Sequence, residues 1–327
     1  MRNIDLDVII VNWNVRELLQ RCLHSVLDTA APDPDLPGTW LLPSTRPQPY
    51  RLAVLVVDSA SADGSADMVG QAFPAVRLHA SLQNLGYAGG NNWGLRNSQG
   101  RYALLLNPDT EVLDGALATM LTYMDSHPQV AVAGPQLRYP DGRVQSSRRR
   151  FPTLRTALIE STFLQKWFPT HPLLRRYYVL DRPDDAISDV DWVTGACMLV
   201  RREAVEQVGL LDEAFFMYSE ELDWQKRMRA AGWKVTYLPG AQVIHHEGKS
   251  SEQVVYFRHI RFQKSKIRYF KKHHGSLAGE GIRCWLLFNY LYEWGIEACK
   301  WLLGSQRDLR RERLRAYGQV LRSRLRE

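Results

Sequence analysis

Cysteine is scarce: the 327 residues hold four, Cys22, Cys197, Cys284 and Cys299, with no Cys-x-x-Cys pair and no metal-ligand spacing. That excludes a disulfide framework and a zinc ribbon and suits a reducing compartment. Long apolar runs are also missing. No stretch of roughly 18 uncharged apolar residues occurs, so no spanning helix is expected. The chain does not start with the basic segment of a signal peptide; Asp5 and Asp7 stand ahead of a short apolar run, so none is expected. There is no internal repeat, and no biased tract beyond residues 31–49, where six prolines mark a loop inserted between elements. What remains is ordinary globular composition, 45% apolar and 24% charged, which excludes a disordered or collagen-like chain.

The net charge of +7 hides an asymmetry. Residues 1–247 carry 24 Lys+Arg against 28 Asp+Glu, whereas residues 248–327 carry 18 against 7. The division therefore falls into a body, 1–247, and a basic helical tail, 248–327. Such a tail suits an anionic surface, either nucleic acid or an acidic membrane leaflet, or is a solvated helical face. Ile282 to Leu303 contains Trp285, Trp294 and Trp301, with Asn289, Glu293, Glu297 and Lys300 on one helical face. That pattern suits a helix lying in a membrane interface, with the following arginines drawn to anionic lipid. It equally suits packing on the body or, in a homo-oligomer, on a partner chain.

The body alternates short β-branched runs with amphipathic stretches. Asp7–Val11, Leu52–Val57, Arg101–Leu106 and Val130–Ala133 read as buried strands. Between them, Val15–Thr29, Ala66–Phe73 and Asp114–Ser126 read as helices. This predicts an α/β fold with a mostly parallel central sheet and helices on both faces. Ligands of such sheets bind beyond the carboxyl ends of the strands. The residues there are Asn12 and Asn14, then Asp58, then Asn107 and Asp109, which is a chemical signal or merely a set of turn residues.

Four segments are candidates for chemistry. Asp58, at a strand exit, is a candidate acceptor for a base or ribose. Asn84–Gly94 is rich in glycine and asparagine, so its backbone N–H groups can approach a ligand; it is neither Gly-x-Gly-x-x-Gly nor a phosphate loop. Asn107-Pro-Asp109 sets two oxygen side chains at a rigid turn, suited to Mg²⁺ or Mn²⁺ or to a plain turn. Glu220, Glu221 and Asp223 open a helix after an aromatic run, either complementing the helix dipole or supplying a general base.

Taken in order, the segments resemble family 2 inverting glycosyltransferases, which share the GT-A nucleotide-sugar fold, and within them bacterial rhamnosyltransferase-like enzymes. The matching strings are Asp7-Val-Ile-Ile-Val-Asn-Trp-Asn14, Val57-Asp-Ser-Ala-Ser-Ala-Asp-Gly-Ser65, Asn84 to Asn92, Leu106-Asn-Pro-Asp109, Val193 to Arg202, Phe216-Met-Tyr-Ser-Glu-Glu-Leu-Asp223 and Ile244-His-His-Glu-Gly248. They cover nearly all of residues 5–250. The resemblance implies that Asn12, Asp58, Gly89, Gly90, Asn91 and Asn107 line the donor site. It implies that Asp109 and His245 hold a divalent metal, Mg²⁺ or Mn²⁺, and that Glu221, with Glu220 as rival, is the catalytic base. Trp192, Thr194, Gly195 and Asp223 then border the acceptor. Two departures stand out: Asn-Pro-Asp replaces the family's Asp-x-Asp, and Glu replaces its catalytic Asp.

The implied partners are a nucleotide-diphosphate sugar and a lipid-linked glycan acceptor in cell-surface polysaccharide synthesis. The implied location is the cytoplasmic, inner face of the membrane, reached through the tail. A catalytically silent sugar-nucleotide scaffold is the first alternative. Nucleic-acid binding through the tail is the second, and is not expected because it leaves the seven segments without a role.

Overall fold

The computed structural model describes residues 4–246, 255–304 and 306–326, with side chains from Arg258 onward in the second stretch. The boundary expected at 247/248, with Glu247-Gly248 of the last matching segment, lies outside these residues. The chain divides into two compact units. One holds residues up to Phe151, Arg182–Phe216 and the chain from Glu220; the other holds Pro152–Asp181, Met217–Ser219 and the C-terminal helices.

The first unit runs β1 (Leu6–Asn12), α1 (Arg16–Leu27), β2 (Ala31–Pro32), β3 (Trp40–Leu42), β4 (Tyr50–Ser59), α2 (Ser65–Ala72), β5 (Arg77–Ser81), α3 (Gly86–Arg96), β6 (Tyr102–Leu106) and β7 (Thr110–Val112). It continues through α4 (Ala116–Ser126), β8 (Val130–Arg138) and β9 (Arg148–Arg149). The second unit contributes α5 (Leu154–Ile159), α6 (Phe163–Trp167) and α7 (Pro172–Tyr177) before the chain returns as β10 (Ser188–Val190), β11 (Trp192–Val193), β12 (Cys197–Arg201), α8 (Arg202–Val208), α9 (Glu220–Ala230) and β13 (Lys234–His245). Then follow α10 (Val255–His274), α11 (Ser276–Leu302) and α12 (Arg307–Ser323).

The main sheet has the order β10-β13-β8-β12-β6-β1-β4-β3-β2, with β5 on β4 and β7 on β13. The two longest ladders, β8 with β13 and β1 with β4, are parallel, as are β1 with β6 and β4 with β5. The sheet as a whole is mixed, because β12 enters antiparallel between β6 and β8. Alternation along the central strands sends side chains into two cores. Val8, Ile10, Leu104 and Leu106 meet α1, α2 and α4 on one face; Ile9, Ala103 and Leu105 meet α3, α8 and α9 on the other.

Three expectations change. The proline-rich segment is not all loop: Trp40 and Leu42 are buried, and β3 extends the sheet antiparallel beyond β4. Its prolines belong to an edge, where a missing N–H is tolerated. The glycine-rich stretch is not a loop either, since Gly86–Arg96 is the helix α3. A Cβ on Gly90 would lie 2.6 Å from Val11 Cγ1, and one on Gly94 2.4 Å from Ile9 Cγ2. The two glycines, four apart, let α3 lie directly on β1.

The third change concerns the tail. Residues 152–181, which the sequence reading left in the body, join the C-terminal helices in the second unit. Asn289, Glu293 and Glu297 on α11 face inward, not toward solvent. Asn289 Oδ1 accepts from Phe163 N–H (2.7 Å), Glu293 pairs with Lys166 (2.7 Å), and Glu297 with Arg310 (2.8 Å). Each partner lies far from it in sequence or on another helix. The faces left exposed carry Phe288, Leu291 and Leu302. Among the described residues, no helix is long and apolar enough to cross a membrane.

Candidate active site

Parallel register brings the ends of β1, β4 and β6 to one edge of the sheet. Asn12 stands opposite Asp58, and Ile10 opposite Leu106, just before Asn107. Because β12 runs antiparallel, its entry, Thr194 to Ala196, reaches the same edge. Asn107 N–H donates to Ala196 O at 2.9 Å.

At the β1/β4 corner, Asn12 Nδ2 donates to Asp58 Oδ2 (2.9 Å) and to Ser61 Oγ (3.1 Å), and Asp58 Oδ1 accepts from Ser61 N–H (2.9 Å). Both Asp58 oxygens therefore brace the following loop. Asn12 Oδ1 at this corner is buried and without a hydrogen-bond donor among the described residues.

Beyond β6 the chain turns through Asn107-Pro108 into Asp109. Thr110 Oγ1 donates to Asn107 O at 2.7 Å, and His246 N–H donates to Asp109 O at 2.9 Å. Pairing of β7 with β13 places Thr110 opposite His245 and so brings His245 Nε2 to 3.4 Å from Asp109 Oδ1. That oxygen is buried and has no hydrogen bond among the described residues. His245 Nδ1 lies 2.8 Å from Gln145 Oε1. A carbonyl oxygen only accepts, so Nδ1 carries a proton, and in the metal-ligating form of the ring the Nε2 lone pair would face Asp109. Two acceptors facing each other at this distance fit a cation between them. Asp109 and His245 thus suit a divalent metal, although no cluster of three or more His, Cys, Asp or Glu ligands occurs among the described residues.

The start of α9 supplies the carboxylate pair. Tyr218 and Ser219, just before it, both hold positive φ (71° and 65°), which turns the chain sharply into Glu220. Glu220 is 3% exposed; its Oε2 and that of Glu221 are buried without hydrogen-bond donors among the described residues. Burial, then the neighbouring Glu221, pushes the Glu220 carboxyl well above the usual carboxylate range. Burial also raises Glu221, but the backbone N–H groups of Glu221, Leu222 and Gly195 and the charge of Arg149 hold it back. Glu220 keeps its proton while Glu221 is the better anion.

Tyr87 ties this corner to α3. Its hydroxyl donates to Gly195 O at 2.7 Å, and a Cβ on Gly195 would lie 2.8 Å from that hydroxyl, so only glycine fits there. Burial, then the Glu221 charge, pushes the Tyr87 phenol well above its usual range. Gln225, one turn into α9, donates to Val193 O (2.8 Å) and Glu221 O (3.1 Å) and accepts from Val193 N–H (2.9 Å). It locks α9 to β11.

Sequence reasoning missed Tyr87, Gln145, Gln225 and Arg149; only Tyr87, inside the glycine-rich string, carried a hint. Several of the residues expected to contact ligands also have contacts within the chain. Gly90 is explained by its approach to Val11, and Asn91 turns back to donate to Tyr87 O at 3.0 Å. Gly89 stands half-buried beside Leu85. Trp192 is buried, with its indole N–H on Arg150 O at 3.1 Å. Asp223 is fully buried and paired with Arg227 at 3.0 Å, whose guanidinium also donates to Val208 O and Leu210 O. Thr194 and Gly195 remain half-buried at the edge itself.

A nucleotide-sugar transferase architecture of the GT-A kind is what this sheet and edge define. The model of "Glycosyl transferase family 2" matches residues 7–209, and the chain belongs to that family. The N-acetylglucosaminyl-diphospho-decaprenol L-rhamnosyltransferase of Mycobacterium tuberculosis is 33% identical over 211 residues, 61% of this chain and 68% of the relative. Rhamnosyltransferase WbbL of Escherichia coli is 28% identical over 176 residues, 52% of this chain and 62% of the relative. In fold, the chain is similar to the mannosyltransferase PcManGT of Pyrobaculum calidifontis, solved with GDP-Man and Mn²⁺. Its TM-score is 0.53 at 15% identity, covering 97% of this chain and 84% of that one.

Proposed function

We propose that the chain transfers a sugar, L-rhamnose by analogy with its relatives, from a nucleotide-diphosphate donor to a hydroxyl of a lipid-linked glycan, with inversion. The observation that carries this reading is the Glu220/Glu221 pair: a buried, unpartnered carboxylate oxygen on Glu221 beside a carboxyl that keeps its proton, at the edge that also holds Asp109 and His245.

Glu221 takes the proton of the acceptor hydroxyl. The oxygen attacks the anomeric carbon from the face opposite the nucleotide. The carbon–oxygen bond to the diphosphate breaks, its electron pair leaves with the nucleotide, and the configuration inverts. Asp109 and His245 would hold a divalent cation, Mg²⁺ or Mn²⁺. Bound there, such an ion offsets the charge that grows on the leaving diphosphate. Asn12 Oδ1 offers an acceptor to the base, and Thr194 and Gly195 border the acceptor sugar.

In Glu221→Gln, transfer should fall on the order of 10²–10⁴-fold while nucleotide binding by calorimetry is unchanged. Near-normal turnover would overturn the assignment. In the parent chain, transfer should rise with pH as Glu221 ionises, then level off, because the base works only deprotonated. NMR of the product's anomeric carbon tests inversion.

The exposed Phe288, Leu291 and Leu302 of α11, with the arginines of α12, support peripheral attachment at the inner face of an anionic membrane. Leu291→Glu in the full chain should reduce flotation with anionic liposomes; unchanged recovery would remove the membrane from this reading.

A further inference from the structure

Within the second unit lies a cavity of about 580 Å³ that the transfer reaction does not use. Its size falls in the range of small-molecule sites. Two aromatic pairs line it. Tyr218 and Phe262 stand edge to face with ring centroids 5.5 Å apart, and Tyr290 and Tyr317 do so at 5.6 Å.

Gln263, 3% exposed, lines the cavity as well. Its Nε2 donates to Tyr290 Oη at 3.3 Å, but its Oε1 has no donor among the described residues. A buried carbonyl oxygen left unpaired costs roughly 1–3 kcal/mol, a cost removed when a bound molecule supplies the hydrogen. Its neighbours are already engaged: Asn289 Oδ1 by Phe163 N–H, and Glu293 by Lys166 at 2.7 Å. His259 Nδ1 lies 3.1 Å from Tyr290 Oη, and burial together with the Arg258 charge keeps its imidazole neutral.

These surroundings narrow the occupant. A phosphate needs buried, uncommitted cations, whereas Lys166 is held by Glu293 and the other cation of the lining, Arg258, is exposed. An acyl chain would leave Gln263 Oε1 buried without compensation. A neutral ring bearing several hydroxyls meets every condition: flat faces beside aromatic rings and a hydroxyl donated to Gln263 Oε1.

We propose that this cavity, lined by residues of the second unit, is a carbohydrate-binding site for a neutral pyranose. The proposal goes beyond the transfer reaction and does not depend on Glu221.

Saturation-transfer NMR on the full chain tests it, with methyl α-L-rhamnopyranoside and N-acetylglucosamine as separate probes at millimolar concentration. At least one probe should bind. Gln263→Met, nearly equal in shape and free of the unpaired oxygen, should weaken binding about tenfold, the equivalent of about 1.4 kcal/mol, with an unchanged or raised melting temperature. Tyr317→Ala should weaken it as well. Asp109→Asn should not. Absence of binding by either sugar, normal binding in Gln263→Met, or a loss confined to Asp109→Asn would each overturn the proposal. None of these outcomes depends on whether transfer occurs, so failure here is distinct from failure of the transferase reading.

Discussion

The two ends of one sheet edge carry the same residue types in opposite states. At the β1/β4 end, both oxygens of Asp58 are bonded, to Asn12 and to the Ser61 backbone. At the β6/α9 end, Asp109 Oδ1, Glu220 Oε2 and Glu221 Oε2 are buried with no donor among the described residues. A carboxylate at a strand exit is therefore not by itself a reactive group. Folded proteins seldom leave buried acceptors unpaired, so a cluster of them marks where a ligand or a reacting proton belongs. On the proposed reading, the bonded Asp58 carboxylate shapes the pocket, and the unpaired carboxylates at the other end carry the chemistry.

The comparison breaks first at Asp109. Asp109→Asn removes the anionic half of the pair with His245 and should reduce transfer by roughly 10² or more. Titration of nucleotide diphosphate with and without Mn²⁺ should show the metal's contribution disappear. Equal metal enhancement in the variant would mean that the unsatisfied oxygen is not a metal ligand. Asp58→Asn should behave differently. It replaces an accepting oxygen with an amide donor, whether facing Asn12 Nδ2 or the Ser61 N–H. The cost should be roughly 1–3 kcal/mol of stability, read as a lower melting temperature. Its kinetic effect should appear in the donor KM more than in kcat. A kcat loss as large as that of Asp109→Asn would erase the distinction between the two corners.

Much of the frame was legible because local pattern suffices for it. The run Asp7-Val-Ile-Ile-Val11 carries its burial in β-branched residues, and the strand found there differs by one residue at each end. The polar residues after β1, β4 and β6 follow from the same logic. What local pattern does not contain is direction and partner. Cys197-Met-Leu-Val-Arg201 is an apolar run, but nothing in five residues says that it forms a strand that runs antiparallel and so delivers Gly195 to the edge. The polar stripe of α11 looked like a solvent face because its partners, Phe163 N–H, Lys166 and Arg310, are remote in the chain or on a different helix. Gly90 and Gly94 looked like ligand-approach glycines because the contact that explains them, with Val11 and Ile9, exists only once α3 lies on β1. The carboxylate pair was visible, and the resemblance already put Glu221 ahead of Glu220, but a physical reason for that order, the burial of one and the backbone donors around the other, exists only in the fold.

That ranking has a consequence in stability. In the folded chain Glu220 holds its proton well above the usual carboxylate range, because it is buried beside Glu221. In the unfolded chain it releases that proton near the ordinary value of about 4.3. Between these limits the folded state binds more protons than the unfolded one, so stability falls as pH rises and is complete only below the unfolded value. Glu221, raised as well, acts in the same direction. Glu220→Gln removes one of the two contributions. Its melting temperature should exceed the parent's by a margin that widens from pH 5 to pH 8, a shallower slope set by Glu221 alone. Transfer by the variant should stay within about tenfold of the parent, since a neutral amide replaces a carboxyl that was already neutral. A collapse of transfer to the level of Glu221→Gln would make Glu220 the base, whereas a melting temperature with the parent's pH slope would mean that Glu220 is ionised in the folded chain.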